Sequence, residues 1–289
     1  MALRDDKKSN ITEGSGRSPE RLKEHYIIEK ELASRLRNSN KHERAHLYSD
    51  LYDELFRRVP DHPQLTIKAD STKNKKVLPG LNLLRAFLNK ESTYLEIGPG
   101  DCALAFEVAK IVKKVYAVDV SSEITKGLVC PDNFKLILSD GCSISVPSGS
   151  VDLAYSDQLM EHLHPEDAME QLGNIYTALR PGGIYICVTP NRVSGPHDIS
   201  MYFDDVATGF HMKEYTVFEL AEIFRKAGFS KVKRFISFKG RTFVLPLFPA
   251  DVMEKVLIGL PRITSRKLSK SLIFRLLLGG SDVKLIAIK

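Results

Sequence analysis

From Ser92 onward, short apolar runs alternate with helical periods, and this alternation restricts the fold more than any other property of the chain. Residues 94–97, 115–120, 134–138, 151–155 and 184–188 read as strands, and residues 104–112 and 167–179 as helices. In the second helix Met169, Leu172, Tyr176 and Leu179 fall on one stripe, and Pro181-Gly182-Gly183 stops it before the next strand. Strands separated by helices or crossover-length connections predict an α/β fold, its parallel sheet covered on both faces. Thr216 and Glu219 form a capping box for a further helix that ends near Ala227, with Gly228 as its left-handed cap. Residues 232–238 make another strand and residues 284–288 the last.

Before this region the pattern is helical. Residues 1–17 are polar and without period, and are expected to be a disordered tail. Ser18 caps a helix with Pro19 at its first position, and an apolar stripe runs through Leu22, Tyr26, Leu32, Ala33 and Leu36. Asn40 and Glu43 can form a capping box for a second helix carrying Leu47, Tyr48, Leu51, Tyr52, Leu55, Phe56 and Val59. Pro60, Pro63 and the lysine run 73–76 read as a linker, followed by a short helix over 81–88. Residues 18–77 are thus an N-terminal helical lid and linker. Residues 78–239 are the core, 240–280 an amphipathic insertion and 281–289 the last core strand.

Composition narrows the class. A hydrophobic share of 43% and a charged share of 27% suit a chain with a real core. Cys102, Cys130, Cys142 and Cys187 are isolated, so they signal neither a disulfide framework nor a zinc site, and no metal is expected. The net charge of +6 is spread along the chain, which allows a nucleic-acid or membrane-surface partner without requiring one. The sequence has no apolar run of the roughly 18 residues a membrane span needs, and MALRDDKKSN offers no signal peptide. A soluble cytoplasmic protein is the expectation.

The turn Glu96-Ile97-Gly98-Pro99-Gly100-Asp101-Cys102-Ala103 joins a strand to a helix. Gly98 and Gly100 remove side chains that would keep a ligand off the backbone. Asp119 ends the next strand about 20 residues on, where a carboxylate can accept both hydroxyls of a ribose. Asp140-Gly141 follows the third strand, where an acid can accept from an exocyclic amine.

These residues, with Val151-Asp152-Leu153, Glu161-His162-Leu163 and Leu179-Arg180-Pro181-Gly182-Gly183, resemble class I S-adenosylmethionine-dependent methyltransferases of the small-molecule type (methyltransferase type 11-like). The resemblance covers about residues 78–239 and the end of the chain. It implies a Rossmann-like, mostly parallel seven-stranded sheet with an antiparallel last strand, and S-adenosyl-L-methionine across the carboxyl edge of the first four strands. It assigns Glu96, Gly98 and Gly100 to the methionine moiety and its surroundings, Asp119 to the ribose, and Asp140 with Gly141 to adenine. Asp157 would face the methionine end or the substrate. One departure stands out, since Cys102 replaces the usual third glycine; a modest change in turn packing is expected.

Methyl transfer from a sulfonium needs an acceptor atom held in line, water excluded and, for a weak nucleophile, a proton removed. The polar connection after the fifth strand offers His197 and His211 as general base or acceptor-orienting groups, and Arg192 for an anionic substrate. Either histidine could instead pin loop to helix, and so could His162 and His164. Tyr48 and Tyr52 could close over the cofactor or belong to the core. In residues 240–280, Arg262, Arg266, Lys267, Lys270 and Arg275 interleave with apolar side chains. Such a segment can lie on an anionic membrane surface, cover a lipophilic substrate, or pack on the domain.

The function read from this sequence is transfer of a methyl group from S-adenosylmethionine to a small-molecule acceptor, with oxygen the expected atom. The alternatives are an NAD(P)-dependent oxidoreductase, because G-x-G-x-x-A also fits, and a cofactor-binding scaffold without turnover. A nucleic-acid substrate is disfavoured because Ser156-Asp157-Gln158-Leu159 lacks a base-flipping N/D-P-P-Y/F pattern.

Overall fold

The computed structural model describes residues 16–63, 65, 73–121, 127–238, 241–269, 271, 274, 278 and 280–289. The strands are β1 (Thr93–Ile97), β2 (Lys114–Asp119), β3 (Phe134–Leu138), β4 (Val151–Asp157), β5 (Leu179–Pro190), β6 (Lys231–Phe238), β7 (Arg241–Leu245) and β8 (Asp282–Ile288). They form one sheet in the order β3-β2-β1-β4-β5-β8-β6-β7. β1 to β5 run parallel, and β8 lies antiparallel between β5 and β6. This is the expected parallel sheet and antiparallel last strand, with one correction to the seven-strand count. An eighth strand, β7, pairs antiparallel with β6 from Arg234↔Leu245 to Phe238↔Arg241. Its backbone, read as part of the insertion, pairs with the outer edge of β6, and β7 becomes the sheet's last strand among the described residues.

Successive side chains of each strand point to opposite faces. Leu95, Tyr116, Ala154, Tyr185, Cys187 and Leu285 bury into one layer, and Tyr94, Val115, Leu153, Tyr155, Ile186 and Ile286 into the other. The first layer is closed by α1 (Pro19–Asn38), α2 (Lys41–Arg58), α5 (Pro165–Ala178), α6 (Val217–Lys226) and α7 (Phe248–Ile258), through residues such as Leu32, Leu51, Leu172, Leu220 and Leu257. The second is closed by α3 (Lys73–Leu84) and α4 (Ala103–Ala109), through Leu84 and Val108. Fully buried leucines such as these stabilise the fold by about 1.5–3 kcal/mol each.

Caps act where expected. Ser18 accepts from the Arg21 amide, and reciprocal capping boxes close at Asn40/Glu43 and Thr216/Glu219. Three boundaries differ from expectation. The lysine run 73–76 is not linker but the start of α3, which ends at Leu84 instead of reaching residue 88; lysine is a good helix former and can open a helix. β4 runs on to include Asp157. The Arg-Pro-Gly-Gly segment lies inside β5, where pairing jumps from Val151↔Leu179 to Leu153↔Ile184. A side chain at Gly183 would come within 2.8 Å of the Arg180 carbonyl, so the bulge needs glycine there.

The insertion packs on the domain through α7 and α8 (Arg262–Ser269). Buried Glu254 accepts from Asn191 Nδ2 at 2.7 Å and from the Val217 amide at the start of α6. Arg266 donates to the Gly195 carbonyl at 2.9 Å. Phe248, Val252, Val256 and Ile263 remain outward and exposed. Lys270 and Arg275 lie outside the described residues, as does the tail before Gly16. Among the described residues no helix is long and apolar enough to cross a membrane.

Candidate active site

Parallel pairing brings the carboxyl ends of β1 to β4 to one edge. Ile97 is level with Val118 of β2 and Ser156 of β4, and Asp119 is level with Leu138 of β3. Asp119 and Asp140 therefore lie on the same edge, one strand apart.

The turn after β1 is tied to β2 by the Gly98 amide, which donates to the Val118 carbonyl at 2.9 Å. Gly98, Gly100 and Cys102 all take positive φ, at 67°, 59° and 58°. The third position of the turn thus keeps the left-handed backbone although it carries a thiol, which is buried and pushed up to about 12 by that burial. A β-carbon at Gly100 would meet nothing within 4 Å, so open space lies over that backbone. Gly98 differs, because Leu159 would stand 3.1 Å from a β-carbon there.

Glu96 is buried beside this turn and accepts from the Tyr94 hydroxyl at 3.1 Å. Burial pushes its carboxyl up to about 8, and the neighbouring charges that act on it, Asp157 and Asp101, are acids that push the same way. A cation placed here would return Glu96 to the carboxylate. Half-buried Asp119 accepts from the Ser121 amide at 3.1 Å. Asp140 is exposed; its Oδ1 accepts from the Cys142 and Ser143 amides at 3.0 and 2.8 Å, and these bonds hold its carboxyl below the usual range. Gly141 has φ 96°, and the Tyr48 ring would lie 3.0 Å from any β-carbon there. A hollow of about 390 Å³ opens beside Asp140, bordered by α2 and α5 rather than by the insertion.

The N-terminal helices cover the neighbouring part of the edge. Tyr48 is core, its hydroxyl bonded to Asp167 Oδ2 at 2.6 Å. Tyr52 stacks on Phe210 with centroids 4.8 Å apart, and its hydroxyl lies 2.9 Å from His162 Nδ1. On α1, Glu29 Oε1 accepts from the Phe210 amide at 2.9 Å, and Arg37 donates to the carbonyls of Thr208, Gly209 and His211. The loop carrying His211 is therefore held from α1 as well as from the sheet.

His211 is buried with Nδ1 2.8 Å from Glu214 Oε1, and that bond, with nearby Glu161 and Asp198, raises its pKa against the opposing effect of burial. His197 is taken up by its own loop: its ring lies 3.0 Å from Ser194 Oγ and 3.1 Å from the Asn191 carbonyl, and its amide donates to Glu214. Arg192 is turned to Glu219 at 2.9 Å. His164 caps α5. The residues that sequence reasoning did not assign to the site are Glu161, fully buried and pushed up to about 7 by burial, and Leu159, which closes on Gly98. Glu161-His162 was visible as a pair, but nothing in the spacing joined it to His211.

A family model described as a methyltransferase domain matches residues 70–234, more than half of the chain. A protein of Mycolicibacterium smegmatis, named a probable S-adenosylmethionine-dependent methyltransferase, is 30% identical over 137 residues, 47% of this chain and 51% of that protein. The chain thus spans about half the length of this curated relative. Among solved structures, a complex of the Haloferax volcanii Trm112 methyltransferase activator with a methyltransferase matches 75% of this chain and 91% of its own, with TM-score 0.52 and 16% identity. A SAM-dependent methyltransferase from Archaeoglobus fulgidus matches 74% of this chain and 94% of its own, with TM-score 0.50 and 22% identity. At these identities the two structures speak to the fold.

Proposed function

We infer the reaction from one premise: this chain belongs to the methyltransferase domain family, within the class I S-adenosylmethionine-dependent methyltransferases. Bound S-adenosylmethionine supplies a methyl group already activated for displacement by its positive sulfur. In this reading the open backbone at Gly100 receives the cofactor, Asp119 accepts from the ribose hydroxyls, and Asp140 and Gly141 border the adenine. Glu96 and Asp157 face the cationic methionine end. The observation that carries the reading is Glu96, a buried acid with acids as its electrostatic neighbours, where a cationic ligand relieves the cost of ionisation. A dinucleotide with its pyrophosphate at the same turn would meet these acids as like charges, which argues against the oxidoreductase alternative.

The acceptor is a small molecule that offers oxygen, and His211, held by Glu214, is the group suited to orient it. Isothermal titration of the full chain should give S-adenosylmethionine binding and no NADH binding; the reverse result overturns the reading. Release of S-adenosylhomocysteine with hydroxylated acceptors but not with matched amines is expected, and amine-only turnover would refute the oxygen assignment. The outward row Phe248, Val252 and Val256, on a chain of net charge +6, supports peripheral contact with an anionic bilayer. Sedimentation with anionic vesicles should fall in Phe248→Ser/Val256→Ser, and equal pelleting of both proteins excludes this row as the contact.

A further inference from the structure

Adjacent Glu161 and His162, in the turn that follows β4, meet His211 from the loop beyond β5. Glu161, His162 and His211 each place one ligand-type atom within 4.8 Å of the other two. Each is fixed from behind. His162 Nδ1 lies 3.1 Å from the Phe210 carbonyl and 2.9 Å from the Tyr52 hydroxyl, and His211 Nδ1 lies 2.8 Å from Glu214 Oε1. Both rings therefore have Nε2 left over, and His162 Nε2 is 4.0 Å from Glu161 Oε1. Glu161 Oε2 accepts from the Thr189 hydroxyl at 2.8 Å, but Oε1 is buried with no hydrogen-bond partner, in a side chain that is 0% exposed.

A buried carboxylate oxygen without a donor is costly and calls for an explanation. Histidines whose Nδ1 is engaged by a carboxylate or a carbonyl, with Nε2 free beside an unsatisfied carboxylate, have the orientation that metal-bound imidazoles adopt. We propose that Glu161, His162 and His211 bind one divalent transition-metal cation, and that the cation takes the acceptor hydroxyl oxygen as a further ligand. Two imidazoles and one carboxylate suit zinc, manganese or cobalt and leave coordination positions open for a substrate oxygen. His162 keeps 20% of its side-chain exposure, which gives the cluster a way in. The position is close to the cofactor turn, because the His162 amide donates to the carbonyl of Leu159, whose side chain would stand 3.1 Å from a β-carbon at Gly98.

A second group, His25, Glu29 and His62, has similar spacing but a different bonding state. Both Glu29 oxygens are used, by the Phe210 amide and by His25 Nε2, and His25 Nδ1 lies 2.9 Å from Arg17. It supplies an internal control.

The acceptor half of this proposal rests on the methyl-transfer reading; the cation half does not. Untagged full-length chain, stripped with chelator, is titrated calorimetrically with Zn²⁺, Mn²⁺ or Co²⁺, and separately with S-adenosylmethionine. One equivalent of cation is expected, weakened at least about tenfold in Glu161→Gln and His211→Gln and about 10–100-fold in Glu214→Gln. His62→Gln should retain it. In the wild-type chain, Mn²⁺ should broaden the ring resonances of His162 and His211 before those of His25 and His62, a readout independent of how the variants fold. Absence of stoichiometric binding, broadening centred on His25 and His62, or affinity unchanged by Glu161→Gln overturns the cation site. Cation binding at this cluster without S-adenosylmethionine binding sustains the site and removes the acceptor role together with the methyl-transfer reading.

Discussion

Cys102 shows how a residue can depart from a pattern while the backbone keeps it. Its left-handed φ of 58° is strained for a residue with a β-carbon, but the thiol is fully buried and gains from that burial. These opposing effects are each about 1 kcal/mol, so Cys102→Gly should change unfolding free energy by less than about 1 kcal/mol in urea titrations and leave cofactor affinity intact. The edge acids were legible because each ends or follows a strand at a readable interval. Asp119→Ala should weaken S-adenosylmethionine binding by about 1–3 kcal/mol, the scale of a charge-assisted bond left unmade, measured by calorimetry; unchanged affinity would show that the ribose lies elsewhere. His211→Ala should lower kcat more than it raises the KM for the cofactor, and normal turnover would leave His211 a pin between loop and Glu214. The meeting of His211 with Glu161 and His162 was not legible, since it joins a short turn to a loop beyond β5 and depends on contacts from α1 and α2.

At the level of elements, caps and periodicity carried the reading. Ser18, the Asn40/Glu43 box and the Thr216/Glu219 box start their helices where the side chains can satisfy free amides. Edges were harder, because β7 and the bulge in β5 are decided by which neighbour a segment finds rather than by its own period. That α2 could cover the cofactor edge was readable from Tyr48 and Tyr52, but the contact that holds it over Asp140-Gly141 was not. Arg44 Nε and Nη2 bond to the two Asp167 oxygens at 2.7 and 2.9 Å, both side chains being buried, and Tyr48 adds a third bond at 2.6 Å. Removing one partner of such a pair strands a buried charge. Asp167→Ala should therefore destabilise the fold by about 3–5 kcal/mol in urea titrations. Glu166, bonded to the same guanidinium but 70% exposed, should cost at most about 1 kcal/mol when changed to alanine. Equal effects of the two substitutions would show that α2 is not held by this pair.

Across the molecule as a whole, buried titratable groups set the response to pH. Glu96, Glu161 and Glu254 are pushed up to about 8, about 7 and about 7 by burial, so between about pH 4.5 and those values the folded chain holds protons that the unfolded chain has lost. Their effect is to lower stability as pH rises. Buried His62, pushed down to about 4, acts oppositely: the unfolded chain binds its proton below about pH 6.5, so stability rises with pH between 4 and 6.5, and this contribution is complete above that range. From pH 6.5 to 8 the carboxyls remain, and the ligand-free protein should lose stability at no more than about 1.4 kcal/mol per pH unit for each group. Glu96→Gln should reduce that slope, and so should Glu254→Gln, which keeps an oxygen for the Asn191 and Val217 donors. Only Glu96 faces the proposed cationic end of the cofactor. If S-adenosylmethionine binds the ionised form of Glu96, binding releases a proton, and affinity should climb between pH 6.5 and 8 by no more than tenfold per pH unit. Glu96→Gln should flatten that climb while Glu254→Gln leaves it in place. A climb that survives Glu96→Gln would mean that another group, and not Glu96, answers the sulfonium.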